Sequence, residues 1–426
     1  MKFDYGKSGI EVSLDPSWNT TIFRPSKQDV IEDPINAIRN AIKNPIGTPS
    51  LKKIVKSKKE IKSVCIVVSD ATRPVPSHLL LKGLLKELSD YGLQEDKILV
   101  LIATGLHRTS RKDELERILG EYITSSVKIV DHIARNKNSL VYLGNAINNI
   151  PIYINKHYYE SDLKILTGYV EPHFFFGFSG GRKSIVPGIA GAETILANHS
   201  AENIASPNAR FGIYKNNPMT ENSTEIAKLI GVDFVVNVSI NENHEITQVA
   251  AGDLERVHKK LVNYQLKHIF KEIQEPFDIV VCGNGGHPLD LSLYQAVKSM
   301  AIGEMAVKKS GTIISVNECA DGIGGGQDEF KELLFSDMPP EEIYKKVLNK
   351  EIVVPDQWEI QVLTRIMMMA DIYIVSKMKE DEIGNIGLKH AKTVEEAIKK
   401  SLNKHGSKAK ILILPNGPQI LPILLS

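Results

Sequence analysis

The chain reads as an α/β protein made of two α/β domains with mainly parallel sheets, joined by helices, with a ligand site in the cleft between them. Three observations predict this. Short apolar, β-branched runs recur along the chain, each followed by a polar loop and then a helical pattern, which is how a parallel sheet with helices on both faces is encoded. The length, 426 residues, exceeds what one hydrophobic core usually organises. Each cluster of chemically capable side chains follows directly on an apolar run. That puts it at the carboxyl end of an expected strand, the edge where open α/β sheets bind ligands.

Taken in order, residues 2–5 and 10–14 flank Gly-Lys-Ser-Gly, a hairpin signal. A helix with a basic face is expected over 33–60. Residues 63–69, with Val-Cys-Ile-Val-Val at their centre, look like a strand buried on both faces. They end in Asp70-Ala71-Thr72-Arg73-Pro74-Val75-Pro76, and helical spacing resumes through Leu80, Leu84, Leu85 and Leu88. Residues 98–102 repeat the pattern and end in Thr104-Gly105-Leu106-His107-Arg108. Further short strands are expected at 128–130, 141–143, 152–154 and 164–167. A hairpin is expected over 234–240 and 246–250, turning at Asn241-Glu242-Asn243. A long polar helix over 254–275 reads as a connector between domains. The second series has strands at 278–282, 312–316, 372–376 and 410–414, with a helix carrying Tyr294, Gln295 and Lys298 after the first. These readings give an N-terminal domain over 1–265, completed by 410–426, and a C-terminal domain over 276–408 that closes the cleft.

Composition excludes several function classes. There are 52 basic and 51 acidic residues, so no global field draws the chain to nucleic acid or acidic lipid. Cys65, Cys282 and Cys319 are far apart and form no CxxC pair, which argues against a structural zinc or a thioredoxin-type centre. Cys65 and Cys282 lie in apolar runs and read as core thiols. The N-terminus has no signal-peptide h-region, and no apolar stretch approaches the ~20 residues of a membrane span. A reducing, cytoplasmic setting is the expectation.

The chemistry concentrates between residues 163 and 199. An apolar run passes into Glu171-Pro172-His173, an aromatic patch (Phe-Phe-Phe-Gly-Phe), Ser179-Gly180-Gly181-Arg182-Lys183-Ser184, Pro187-Gly188 and Asn198-His199. An adjacent cation and an apolar wall favour the neutral form of Lys183, and neutral lysines bond covalently to carbonyl-type carbons. The amides of Ser179-Gly180-Gly181 could face an anion. Residues 177–184 also resemble a phosphate-binding loop, but Arg182 stands where that motif requires glycine. A surface basic pair is the plainer reading. His107, His173 and His199 each lie in a loop near Gly or Pro. Two imidazoles on opposite faces of a stereocentre could act as acid and base, and a third could ligate nickel, copper or zinc. Structural hydrogen bonding is the alternative for any one of them. The planar fork of Arg73 suits a carboxylate or phosphate. Asp70 could orient Arg73 or a cofactor hydroxyl, or simply stiffen its own loop. Tyr294 and Lys298 share a helix face that could reach the cleft or lie in solvent. Trp358 reads as packing.

Together, Asp70-Ala-Thr-Arg73-Pro-Val-Pro, Thr104-Gly-Leu-His107-Arg, Glu171-Pro-His173 through Lys183-Ser, Pro187-Gly188, Asn198-His199 and Tyr294-Gln295-Ala-Val-Lys298 resemble the nickel-dependent lactate racemase family across most of the chain. The resemblance implies a nickel pincer nucleotide, a pyridinium mononucleotide with two sulfur-bearing arms. Lys183 would hold it through a thioamide and His199 would ligate the nickel. His107 and His173 would be the acid–base pair. Asp70, Arg73, Gln295 and Lys298 would position cofactor and substrate, with Tyr294 near the substrate. Lactate would be racemised by hydride transfer to the cofactor, with pyruvate as intermediate, and cofactor-biosynthesis proteins would be the donors. Another 2-hydroxy acid, a P-loop-like nucleotide-binding role, and an inactive cofactor carrier are the competing readings.

Overall fold

The computed structural model describes residues 1–424, apart from the Ile147 side chain. Two six-stranded sheets organise them. The first has the order Ile246–Gly252, Phe234–Ile240, Leu163–Tyr169, Val64–Ser69, Ile98–Ala103, Lys128–Asp131. Neighbours are parallel except the first pair, which is the expected hairpin. Val64, Cys65, Ile66, Val67 and Val68 are all fully buried, as a central strand covered on both faces requires. The second sheet has the order Lys389–Ala391, Asp371–Val375, Val307–Val316, Phe277–Gly283, Ile411–Leu414, Thr20–Ile22, all parallel.

The strands correct the expected crossing. Ile411–Leu414 does not return to the first sheet but pairs with Phe277–Gly283 in the second. The segment that crosses is N-terminal: Thr20–Ile22 lies beside Ile411–Leu414 as the sheet's edge. Ile411, Leu412, Ile413 and Leu414 are fully buried and need a neighbour on each side, whereas the short Thr-Thr-Ile strand tolerates an open edge. Leu421–Leu424 pairs with Phe270–Ile273 in a separate two-stranded ribbon. Residues 425–426 of the expected segment lie outside the described residues.

Two further expectations change. The helix over 33–60 is two helices, Pro34–Lys43 and Leu51–Ser57. Pro45 cannot continue the first, and Ile46 instead bridges to Gly252. The connector helix stops at Ile269, and its buried face (Val257, Leu261, Val262) packs on the first sheet. The strand Phe270–Ile273 follows because its partner comes from the far end of the chain, which periodicity cannot show. The expected short strands Leu140–Asn145 and Pro151–Asn155 form a separate two-stranded sheet, with one further bridge from Ile154 to Ala190.

Both sheets reverse their order near the centre. In the first, the chain extends from Val64–Ser69 to one side and later adds Leu163–Tyr169 on the other. In the second, Phe277–Gly283 is flanked by Val307–Val316 and Ile411–Leu414. Such reversals open a crevice at the carboxyl ends. Here the two crevices face each other. Pro74, Glu171 and Pro172 on one side and Asn284, Gly285, Leu289, Asn416 and Pro418 on the other line a gap of about 50 Å³. One apolar cluster also runs from the first sheet through Phe174, Phe175, Phe176 and Phe178 to Tyr294, Trp358 and the second sheet.

Replacing Ile66 by Ala in the middle of the first sheet should cost about 2–5 kcal/mol, read as a lower midpoint in denaturant unfolding.

Candidate active site

The strand Leu163–Tyr169 delivers the chain to a small hairpin, Pro172–His173 paired with Gly177–Phe178, and then to a tight turn, Gly181–Ser184. Gly180 makes the entry possible. Its φ is +80°, and a Cβ there would sit 2.8 Å from the Tyr169 carbonyl oxygen. The turn sends the basic pair in opposite directions. Arg182 enters the core near Thr220, where burial lowers its pKa to about 10. Lys183 Nζ lies 4.0 Å from the centre of the Phe176 ring and 5.9 Å from that of Phe175. The same two rings carry the imidazoles. The His199 ring centre is 5.4 Å from each, and that of His173 is 4.6 Å from Phe175 and 5.5 Å from Phe176. One aromatic wall therefore holds the amine and both imidazoles together.

The wall also sets their charge. A cation over an aromatic face gains ~0.5–2 kcal/mol, while removing an ion from water costs several kcal/mol. Proton loss is the cheaper outcome. Burial drives the Lys183 amine well below the usual lysine range. Arg73, Arg182 and Lys298 push the same way, and Glu171 opposes them. Burial, followed by the charges of Lys183, Arg73 and Lys298, likewise lowers His173 well below the usual imidazole range. Burial and Lys183 bring His199 to about 3. Glu171 itself is raised by burial, although its bond with Tyr169 and the charges of Arg73, Lys298 and Lys183 resist this.

Each imidazole has its Nδ1 engaged. His199 Nδ1 donates to the Ile195 carbonyl at 2.9 Å, leaving the Nε2 lone pair unspent. Such a bond fixes the tautomer of metal-binding histidines. His107 Nδ1 is 2.7 Å from Asp70 Oδ2. Asp70 is therefore the partner of His107 rather than of Arg73, and it also accepts from the Thr72 hydroxyl at 2.7 Å. Burial opposes its ionisation, but His107, Arg73 and Thr72 together hold its carboxyl below the ordinary value. His173 Nδ1 accepts from the amides of Phe175 and Phe176 at 3.4 and 3.3 Å. His107 is the most exposed of the three. Its loop is tied to that of Lys183 through the Gly105 amide on the Gly188 carbonyl and the Gly188 amide on the Lys183 carbonyl, each 3.0 Å.

The second half supplies the opposite wall. Lys298 Nζ donates to Gln295 Oε1 at 2.5 Å and lies 6.0 Å from the centre of Phe174. Burial and Arg73 lower its pKa, while Glu359 and Glu171 oppose them. Tyr294 is buried beside Phe330 and interacts with Trp358 and Asp356. Trp358 does pack, as expected, but it packs onto the His199 ring at 5.1 Å. Gln361 Nε2 reaches the Ala201 carbonyl at 2.8 Å, fastening the helix Gln357–Met367 across the cleft.

Sequence reasoning missed Glu359 and Asp356. Burial raises both carboxyls, Glu359 against the pull of Lys298 and Asp356 against that of His107. Glu359 and Gln361 are buried polar groups interleaved with Trp358, Ile360 and Val362 on the helix Gln357–Met367, and that interleaving was the available signal. Of the three amides that Ser179-Gly180-Gly181 could turn to an anion, that of Ser179 is spent on the Glu171 carbonyl. Residues 177–184 form no phosphate loop, because they make a hairpin strand and a single turn instead of wrapping into a long helix.

The lowered Lys183 pKa has a consequence for stability. Between its folded value and the ordinary 10.5, the unfolded chain binds more protons, so stability rises with pH through that window. Lys183→Met should therefore raise the melting temperature at about pH 7, with a gain that shrinks on approach to alkaline pH.

A family model described as the lactate racemase N-terminal domain matches residues 5–212, and one described as the lactate racemase C-terminal domain matches 273–421. A lactate racemase from Thermoanaerobacterium thermosaccharolyticum is 36% identical over 428 residues, covering 99% of this chain and 98% of that protein. One from Lactiplantibacillus plantarum is 37% identical over 383 residues, 89% of each. The solved lactate racemase apoprotein from T. thermosaccharolyticum matches with a TM-score of 0.90 at 34% identity over 99% of both chains. A Thermotoga maritima protein, 21% identical, shares the fold with a TM-score of 0.68 over 92% of this chain and 99% of that one. With both halves matched and relatives aligned along nearly its whole length, this chain belongs to the lactate racemase family and is an isomerase.

Proposed function

We propose that this chain interconverts the enantiomers of lactate, and that it does so with a nickel pincer nucleotide held covalently by Lys183. The observation that carries the proposal is the buried Lys183 amine, set on the same aromatic wall as His173 and His199, where burial lowers the pKa of all three. The residues fit the cofactor. A neutral buried amine is what acylation requires. The unspent Nε2 of His199 suits a borderline metal. Among the described residues no group of three or more His, Cys, Asp or Glu side chains could hold a metal. A metal ion at His199 would take its other donors from outside such a cluster, and a pincer ligand is one source of them. When bound, the cofactor would accept and return the hydrogen carried by the substrate's Cα.

The remaining work falls to the chain. Arg73 and Lys298 are cations in electrostatic reach of each other and suit the substrate carboxylate. Gln295 aims the ammonium group of Lys298. His107 and His173 are the proton-handling pair, and pyruvate is the intermediate whose carbonyl presents either face. The Phe174–Phe176 wall, Tyr294 and Trp358 exclude water, so a ketoacid stays in place. The family relatives named above are lactate racemases, which favours lactate over larger 2-hydroxy acids.

Protein from a host that makes the cofactor should carry added mass on the peptide containing Lys183, and Lys183→Ala should remove it. His107→Ala and His173→Ala should retain that mass and lose roughly 10²–10⁴-fold in racemisation. Loaded protein that turns over another 2-hydroxy acid but not lactate would overturn the substrate assignment. Full loading with no loss of activity in either histidine variant would overturn the mechanism.

A further inference from the structure

The two proton-handling histidines do not have equivalent surroundings, and the difference is written in their hydrogen bonds. The partner of His107 Nδ1 is a carboxylate oxygen of Asp70 at 2.7 Å. An ionised carboxylate can only accept, so Nδ1 must carry the hydrogen and Nε2 the lone pair. The partners of His173 Nδ1 are two backbone amides, of Phe175 and Phe176. An amide N–H can only donate, so here Nδ1 carries the lone pair and Nε2 the hydrogen. The supports are built in. Asp70 is 7% exposed and held by Thr72 through both hydroxyl and amide. The two amides belong to the turn between Pro172–His173 and Gly177–Phe178, fixed by strand pairing.

We infer that His107 and His173 are locked in opposite neutral tautomers, His107 offering an Nε2 lone pair and His173 an Nε2–H, with Asp70 and the Phe175–Phe176 amides as the positioning groups. The roles that follow differ. A substrate hydroxyl, which donates, is matched by His107. A ketoacid carbonyl, which accepts, is matched by His173. Asp70 also stabilises the imidazolium that His107 becomes on taking a proton. The amides at His173 Nδ1 oppose a second ring proton there, in keeping with the neutral state that its surroundings impose. The pair is thus a base and a hydrogen-bond donor in the resting protein, not two copies of one group. These roles rest on the racemase reading, while the tautomers themselves do not.

The test is long-range ¹H–¹⁵N correlation NMR on the full chain labelled at histidine, without cofactor, at mildly alkaline pH. His107→Gln and His173→Gln assign the two ring systems by removing one each. The expected result is the Nδ1–H pattern for His107 and the Nε2–H pattern for His173. Asp70→Asn should abolish the fixed Nδ1–H pattern of His107, as loss of the orienting carboxylate does in a catalytic triad, and leave that of His173 unchanged. The same tautomer at both rings, or a His107 pattern indifferent to Asp70→Asn, would overturn the inference. If Asp70→Asn fails to fold, the wild-type spectrum assigned with the two glutamine variants still decides the tautomers. Failure of the racemase reading registers separately, as loaded protein without turnover.

Discussion

The Phe176 ring is the constraint on which the site depends. It presents one face to the Lys183 amine and lies beside both His173 and His199. A ring of this kind excludes water without offering a counter-charge. Burial there favours the neutral forms of the groups around it, because the attraction of an aromatic face is smaller than the cost of burying an ion. Arg73 and Lys298 sharpen this by surrounding the amine with like charge. Packing thus favours a free lone pair on the Lys183 amine and on both imidazoles.

That packing needs both halves of the molecule. The crevices at the two strand-order reversals face each other, and the helix Gln357–Met367 closes over them with Trp358 on His199 and Gln361 on the Ala201 carbonyl. The continuous apolar cluster from the first sheet to the second makes the aromatic wall part of one core. Each loop that carries a functional group is also braced by another such loop. Gly105 and Gly188 join the His107 and Lys183 segments, while the Asn284 amide reaches the Gln295 carbonyl and ties the second sheet to the helix bearing Lys298.

Much of this was legible beforehand because it is local. Continuous apolar runs such as Val-Cys-Ile-Val-Val mark strands covered on both faces. Polar loops directly after them put Asp70, His107, His173 and Lys183 at one sheet edge. Where long-range pairing decided, the reading failed. Residues 254–275 look like one amphipathic helix until Phe270–Ile273 finds its partner at Leu421–Leu424. The last buried strand looks free to join either sheet until Thr20–Ile22 takes its open side.

The sequence by itself determined the class of fold, the edge on which the chemistry gathers, and the family, because strand periodicity and short loop motifs are properties of neighbouring residues. Tertiary structure alone decided which way each side chain of the Arg182–Lys183 pair turns, that Asp70 pairs with His107, and that Trp358 and Glu359 lie beside His199 and Lys298. Those outcomes depend on burial and on partners that are not sequence neighbours, from 37 residues away for Asp70 and His107 to more than a hundred for Trp358 and His199, and neither is encoded in local spacing.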